Sequence, residues 1–112
     1  MTMQYTKLFE PVALALAAAT IFTVPSGAPS TLLRGAIVRI ANTTAAAIAA
    51  TLFNVPAAGA NGPANNFFPG MSIGPNSFVD VQVPQMKAGD FMQGFGGAAG
   101  LNIQAIAGAY YS

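Results

Sequence analysis

Glycine and proline interrupt this chain at short intervals, and that spacing restricts it to short elements joined by turns. The 112 residues include twelve glycines and eight prolines. Turn-forming sequences recur at residues 25–29, 74–76 and 87–90, and a glycine-rich stretch occupies residues 96–100. Short runs bounded by such frequent turn signals are typical of β-strands. The spacing therefore predicts an all-β chain.

Alternation of apolar and polar residues between these turns marks the strands. It is clearest at residues 77–84, where three valines alternate with polar residues, and it recurs at residues 35–42 and 101–110. Because successive side chains of a strand point to opposite faces, one face of each of these strands should be buried. We predict one shared core that includes Val38, Ile40, Val79, Val81, Val83 and Ile103.

These elements predict one antiparallel β-sandwich, or a jelly-roll-like barrel, preceded by an extended N-terminal arm. About six to eight short strands without a convincing amphipathic helix suit that architecture. A chain of 112 residues is long enough for one modest core. We assign residues 1–19 to the arm and leading segment, and residues 20–112 to the single sandwich domain.

The alanine-rich residues 45–53 fit either a helix or a strand. Alanine is the best helix former, and Ile48 and Leu52 lie four residues apart, as on one helix face. Strand alternation also fits, with Thr51 and Phe53 on the opposite face. The run is short for an independently stable helix and has no charged flank. We favour a strand that pairs with the strand before it.

The apolar residues 12–19 resemble a secretion signal or a membrane span at first sight. Glu10 and Pro11 interrupt the apolar region on its N-terminal side, which leaves it short. It also falls below the roughly 20 residues that a helix needs to cross a bilayer. We expect neither secretion nor membrane association, and treat this segment as an ordered arm.

The chain lacks the residues on which most enzyme and metal sites depend. It has no cysteine and no histidine, which removes thiolate ligands, imidazole ligands and Ser-His triads. The carboxylates are Glu10, Asp80 and Asp90, too dispersed for a calcium site. We expect Asp80 to lie on the polar face of a strand and Asp90 to cap a turn. The sequence predicts no catalytic, metal or cofactor site, and hence no enzyme.

Charge is sparse and scattered along the chain. Only 6% of residues are charged, the net charge is +1, and the basic residues are Lys7, Arg34, Arg39 and Lys87. Sequence-specific nucleic-acid binding normally needs a concentrated basic patch, so we do not expect it. A weakly charged, near-neutral surface favours association. This composition indicates a part built into an assembly.

Large apolar side chains in the arm and in predicted loops are the candidates for contacts with partners, since exposed apolar patches commonly mark interaction surfaces. The alternative is that the loop aromatics fold back and plug the ends of the sandwich. For the arm, we expect contact with another subunit, because a free terminus is normally disordered unless something holds it. The interface candidates are Tyr5, Leu8, Phe9, Phe67, Phe68, Met71, Phe91, Met92 and Phe95.

Several short motifs follow one another along the chain: IFTVPSG at 21–27, IANTT at 40–44, GPNS at 74–77, MKAGDF at 86–91 and the closing strand with Tyr110. Their order resembles a family of small β-sandwich virion structural proteins of tailed bacteriophages. The resemblance covers about residues 20–112, and most of it is ordinary turn chemistry in a particular order. The alanine-rich strand and the glycine-rich residues 96–100 depart from the pattern and leave the position in the virion open.

This resemblance implies a non-enzymatic protein of the virion, assembled in the host cytoplasm. The leading hypothesis is a capsid decoration or cement protein that stabilises the shell, with the major capsid protein and copies of itself as partners. A head-tail connector or tail accessory protein is the near alternative. A carbohydrate-binding module is a distant one, because such modules usually display tryptophan or coplanar tyrosines, and this chain has no tryptophan.

Overall fold

Two antiparallel sheets pack face to face in the computed structural model, which describes residues 3–4, 7–25 and 32–111 of the chain. The prediction of an all-β sandwich is confirmed. The strands are β1 Met3–Gln4, β2 Val12–Ala13, β3 Ala19–Thr23, β4 Leu32–Asn42, β5 Ile48–Val55, β6 Asn66–Ile73, β7 Ser77–Gln82, β8 Met86–Lys87, β9 Phe91–Gly96 and β10 Leu101–Tyr111.

Each sheet has a simple strand order. In the first, called sheet A, β4 lies between β10 and β7, β8 also pairs with β4, and β1 and β2 pair with the other edge of β10. In the second, sheet B, the order is β3-β9-β5-β6. A short 3₁₀ turn at Pro63–Asn65 precedes β6. Within the described ranges, no helix has the length and apolar character required to traverse a bilayer.

The core lies between the two sheets and contains the residues that alternation predicts. Val38, Ile40 and Ile103 are fully buried, and Val81 and Val83 are nearly so. The sixth predicted member, Val79, is partly buried and packs against the same cluster. Burying each large apolar side chain stabilises the fold by about 1.5–3 kcal/mol. The predicted core is therefore confirmed, with Val79 at its margin on strand β7.

The ambiguous alanine-rich segment is a strand, but its predicted partner is wrong. Strand β5 pairs with β6 and β9 in sheet B, whereas the preceding strand β4 belongs to sheet A. The reason lies in the connection between them. The buried Asn42 side chain donates to the carbonyls of Ala46 at 2.8 Å and Ile73 at 3.0 Å, and accepts from the Thr44 amide at 3.0 Å. These bonds direct the chain across the core to the opposite sheet.

The described part of the predicted arm belongs to the sandwich itself. Strands β1 and β2 pair with β10, and the Leu14 amide donates to the Leu101 carbonyl at 2.9 Å. The Leu14 side chain is a member of the core cluster. Residues 12–14 therefore continue sheet A and close one side of the core.

Asp90 caps a turn, as the sequence predicts, and also joins two loops. Its Oδ2 accepts a hydrogen bond from the Lys87 amide and its Oδ1 one from the Ala57 amide, each at 3.0 Å. The side chain is buried, and its bonds fasten the long loop after β5 to the turn before β9. Charge-assisted bonds of this kind are stronger than neutral ones. Both carboxylate oxygens of Asp90 therefore hold the two loops together.

Candidate interaction surface

The structure places the arm residues on their own domain. The Phe9 ring stacks on the Phe22 ring with 5.5 Å between the centroids. Leu8 is also partly buried against the core cluster. Tyr5 lies outside the described residues. Leu8 and Phe9 thus pack partly on their own domain, and their contact with another subunit stays a prediction.

The residues predicted in a loop around Phe67 are in strand β6. Phe67 and Phe68 are partly buried and pack against the core cluster, while the side chain of Met71 is 51% exposed. The sequence signal failed here because β6 is irregular. Its pairing with β5 has two register shifts, and Gly70 has a φ of +59°. Such bulges break the alternation by which strands are recognised.

The third group of candidates is in strand β9 and is fully or partly buried by the protein's own chain. Met92 is fully buried in the core, which excludes it as a contact residue. Phe95 lies on the outer face of sheet B and stacks on Phe53 at 6.3 Å. The loop after β5 reaches over this face, where Asn61 Nδ2 donates to Gln93 Oε1 at 2.7 Å. Phe91, in the same strand, is partly buried. This arrangement favours the alternative in which aromatic residues fold back on the sandwich.

An apolar groove of about 520 Å³ opens on the side of the sandwich where β2 and β3 form the sheet edges. Val12 lines the groove and is 47% exposed. Leu16 lies outside the lining and is 64% exposed. Among the described residues that line the groove, Glu10 is the ionisable one, and its carboxylate pairs with Lys7 Nζ at 3.0 Å. The lining residues are Phe9, Glu10, Pro11, Val12, Ala13, Leu14, Ala15, Ala19, Thr20, Ile21 and Gly94.

A second feature occupies the outer face of sheet A. Arg39 on β4 and Asp80 on β7 are opposite each other in the register, and form two hydrogen bonds, Nε to Oδ1 at 2.8 Å and Nη2 to Oδ2 at 3.1 Å. The guanidinium also lies 4.1 Å from the centroid of the Phe78 ring, which is 56% exposed. The pair is self-neutralising, so this face presents an aromatic ring without net charge beside it.

The hydrogen bonds from Arg39 lower the pKa of the Asp80 carboxyl, and the same bonds raise the pKa of Arg39. Both effects follow because the bonds favour the charged form of each partner. A lowered folded-state pKa means that the pair stabilises the fold above the ordinary pKa of aspartate. That contribution is lost as the pH falls through the lower, folded-state value.

The Arg39→Gln substitution should therefore raise the pKa of Asp80 towards the ordinary value of about 3.9. A pH titration of the Asp80 side-chain carboxyl carbon by NMR measures this directly. Lys7→Gln is the control, because Lys7 pairs with Glu10 and makes no contact with Asp80. An Asp80 pKa that is the same in the wild type and in Arg39→Gln would contradict the assignment.

Sequence reasoning missed the groove, since it is formed by residues 9–15 meeting residues 19–21 and Gly94 across two sheets. The signal available in the sequence was the apolar run of residues 12–19, although the sequence does not show that Val12 and Leu16 in it are exposed. Among the described residues, His, Cys, Asp and Glu form no group of three or more that could hold a metal ion. Tyr110 is buried, which removes it as a carbohydrate platform.

Comparison with known proteins finds no protein family, no curated protein and no solved structure that matches this chain.

Proposed function

We propose that this protein is a non-enzymatic structural component of a bacteriophage virion, a decoration protein that stabilises the capsid shell by binding it. The observation that carries the proposal is the apolar groove between β2 and β3, with Val12 and Leu16 exposed at its side. Apolar surface left open to water on a small domain commonly marks a contact site for another protein. The resemblance of the sequence to small virion structural proteins of tailed bacteriophages indicates that the partner belongs to a virion.

The chemistry of the groove supports binding and gives no support to catalysis. Catalytic pockets combine an apolar lining with several convergent polar groups, commonly with shifted pKa values. The described lining of this groove offers one carboxylate, Glu10, which is exposed and already paired with Lys7. A shell protein would need only complementary apolar side chains to fill such a groove.

The rest of the surface suits a protein held in a fixed assembly. Arg39 and Asp80 neutralise each other, as do Lys7 and Glu10. Interfaces are depleted in charged groups at their centre and enriched in aromatic residues and arginine. The exposed Phe78 ring beneath Arg39 fits that composition.

Substituting Val12 with glutamate should remove the protein from particles while leaving it folded. Val12 is half-exposed in a two-residue strand, so a charge there costs little in the free domain. Placed against an apolar partner surface, the same charge is desolvated without compensation. We expect the occupancy of Val12→Glu in virions to fall by about tenfold or more, which corresponds to roughly 1.4 kcal/mol.

The measurement is quantitative mass spectrometry of purified virions reconstituted with each variant, with circular dichroism as the check on folding. Gln85→Glu is the matched control, because Gln85 is exposed and lies away from the groove. A shell decoration should appear at hundreds of copies per particle, as closed shell symmetry provides. Six or twelve copies would instead support the connector or tail alternative, and absence from purified virions would overturn the proposal.

A further inference from the structure

Among the described residues, no strand pairs with the outer side of β7 in sheet A, and the register shows which of its backbone groups are directed to that open edge. The Val83 amide donates to the Ala36 carbonyl at 2.9 Å, in line with the continuous register that pairs β7 with β4. Hydrogen-bonded and non-hydrogen-bonded pairs alternate along an antiparallel ladder. The N–H and C=O groups of Phe78, Asp80 and Gln82 therefore point away from β4, towards the open edge.

This edge differs from the other described edges of the two sheets. Strands β1, β2 and β8 have two residues each, and β3 has a register shift against β9. Strand β6 has two register shifts and contains Pro69. Irregularity, proline and short length are the usual means by which natural proteins block edge pairing. Strand β7 has six consecutive pairs in register, no proline and no basic residue.

The charges beside the edge do not protect it either. Its one charged residue is Asp80, and Arg39 neutralises that carboxylate within the same molecule. Phe78 and Gln82 on the same face are exposed and uncharged. With a net charge of +1 on the whole chain, two copies repel each other weakly. An approaching strand therefore meets unpaired backbone groups and little electrostatic opposition.

We propose that β7 pairs with β7 of a second copy, antiparallel across a twofold axis, so that sheet A continues through a dimer. The free backbone groups belong to even-numbered residues, which limits the possible registers. Asp80 opposite Asp80 would place two carboxylates face to face, and like charges directly opposite are unfavourable. A shift of two residues in either direction separates the carboxylates. The shift that puts Phe78 opposite Asp80 of the second copy is favoured, because it sets the exposed Phe78 ring against an Arg39–Asp80 pair and places the partly buried Val79, not the already buried Val81, on the twofold axis.

In that register Val79 lies on the twofold axis and faces Val79 of the second copy. The side chain of Val79 is partly buried at the margin of the core, so the pairing would complete its burial. Each Phe78 ring would lie beside a neutralised Arg39–Asp80 pair from both copies. The edge of β7 is therefore complementary to the same edge of a second copy, which is the requirement of a twofold interface.

A proline at position 80 tests the backbone pairing, and alanine there is its matched control. Both variants lose the carboxylate and its bonds to Arg39, but only Asp80→Pro also loses the N–H that points to the open edge, while the backbone hydrogen bonds to β4 remain. We expect the wild type and Asp80→Ala to sediment at twice the 11.3 kDa chain mass at micromolar concentration. Asp80→Pro should raise the dissociation constant by on the order of 100-fold, because edge pairing depends on main-chain hydrogen bonds. Circular dichroism checks that it stays folded.

A cysteine at position 79 tests the register, since the chain has no other cysteine. The two Val79 residues would form a non-hydrogen-bonded pair with Cα atoms about 4.5 Å apart, within the range a disulfide accepts. Val79→Cys should cross-link on mild oxidation, and Gln82→Cys, exposed on the same strand, should not. A monomeric wild type, an Asp80→Pro variant that dimerises like the wild type, or cross-linking at position 82 alone would overturn the proposal. These measurements use the purified protein, so they are independent of incorporation into virions.

Discussion

Truncation of Leu52 to alanine should destabilise the domain by about 3–5 kcal/mol, a large part of the stability of a small domain. Leu52 is fully buried at the centre of β5, between β6 and β9. Its register partner on β9 is Gly94, and a Cβ placed there would lie 2.6 Å from Leu52 Cδ2. Leu52 therefore occupies the space that the glycine leaves, and its loss opens a cavity that the rigid strands cannot close. Urea unfolding followed by circular dichroism measures the change.

The same geometry predicts that substitutions at positions 52 and 94 are not additive. Gly94→Ala alone should cost about 1–3 kcal/mol, because its methyl group would overlap the Leu52 side chain. Once Leu52 is alanine, that overlap is gone and the added methyl fills part of the cavity, while its close contacts with Ile21 Cδ1 and Thr51 O, each at 3.1 Å, remain. The double variant should therefore be more stable than the sum of the two single effects indicates. Leu16→Ala, at an exposed position, is the control and should change stability by less than about 0.5 kcal/mol. Strict additivity would contradict the packing of Leu52 against Gly94.

Regular strands with one buried face were predictable from the sequence. In β7 and in the first half of β10, apolar residues alternate with polar ones, so the period of two identifies both the strand and its inner face. The core members Val38, Ile40 and Ile103 follow from this alternation alone. The role of Asp90 in capping a turn was equally predictable, because Ala-Gly-Asp before a strand is a recognisable turn sequence.

Strands that are covered on both sides, and the pairing between strands, were not predictable in this way. Strand β5 buries Leu52 on its inner face and Phe53 on its outer face, so its sequence, IAATLFNV, shows no regular alternation of apolar and polar residues. Such a run does not distinguish a helix from a strand. Its partner could not be inferred either, because the turn that moves the chain to the other sheet depends on Asn42, whose burial is a tertiary property.

The candidate surfaces depended still more on tertiary structure. The groove is formed where β2 and β3, from different sheets, approach each other. The pairing of Arg39 with Asp80 joins residues 41 positions apart through the register of β4 and β7. Sequence reasoning identified apolar residues in irregular segments, but whether they face solvent or the core depends on bulges such as the one near Gly70. Local pattern cannot supply that information.

Replacement of Asn42 with aspartate should be among the most damaging isosteric changes in the chain. Asn42 is 1% exposed, and its Nδ2 donates to two carbonyls, Ala46 at 2.8 Å and Ile73 at 3.0 Å. Its Oδ1 accepts from Thr44 Oγ1 at 2.7 Å, a bond that aspartate could keep. The second carboxylate oxygen, however, would face both carbonyls as a buried charge without a donor. We expect a loss of about 3–5 kcal/mol at neutral pH.

The loss caused by Asn42→Asp should shrink as the pH falls. Burial beside two carbonyls raises the pKa of the new carboxyl above its unfolded value of about 3.9. The folded state therefore takes up a proton more readily than the unfolded state, and the deficit relative to the wild type decreases as the pH drops through the raised pKa. Urea unfolding of both proteins at pH 7 and pH 4.5 measures the difference. Asn102→Asp is the matched control, because Asn102 is exposed on the outer face of sheet A and should show a small, nearly pH-independent effect. Equal losses at the two positions, or a deficit at position 42 that stays constant with pH, would show that Asn42 does not hold the turn between the sheets.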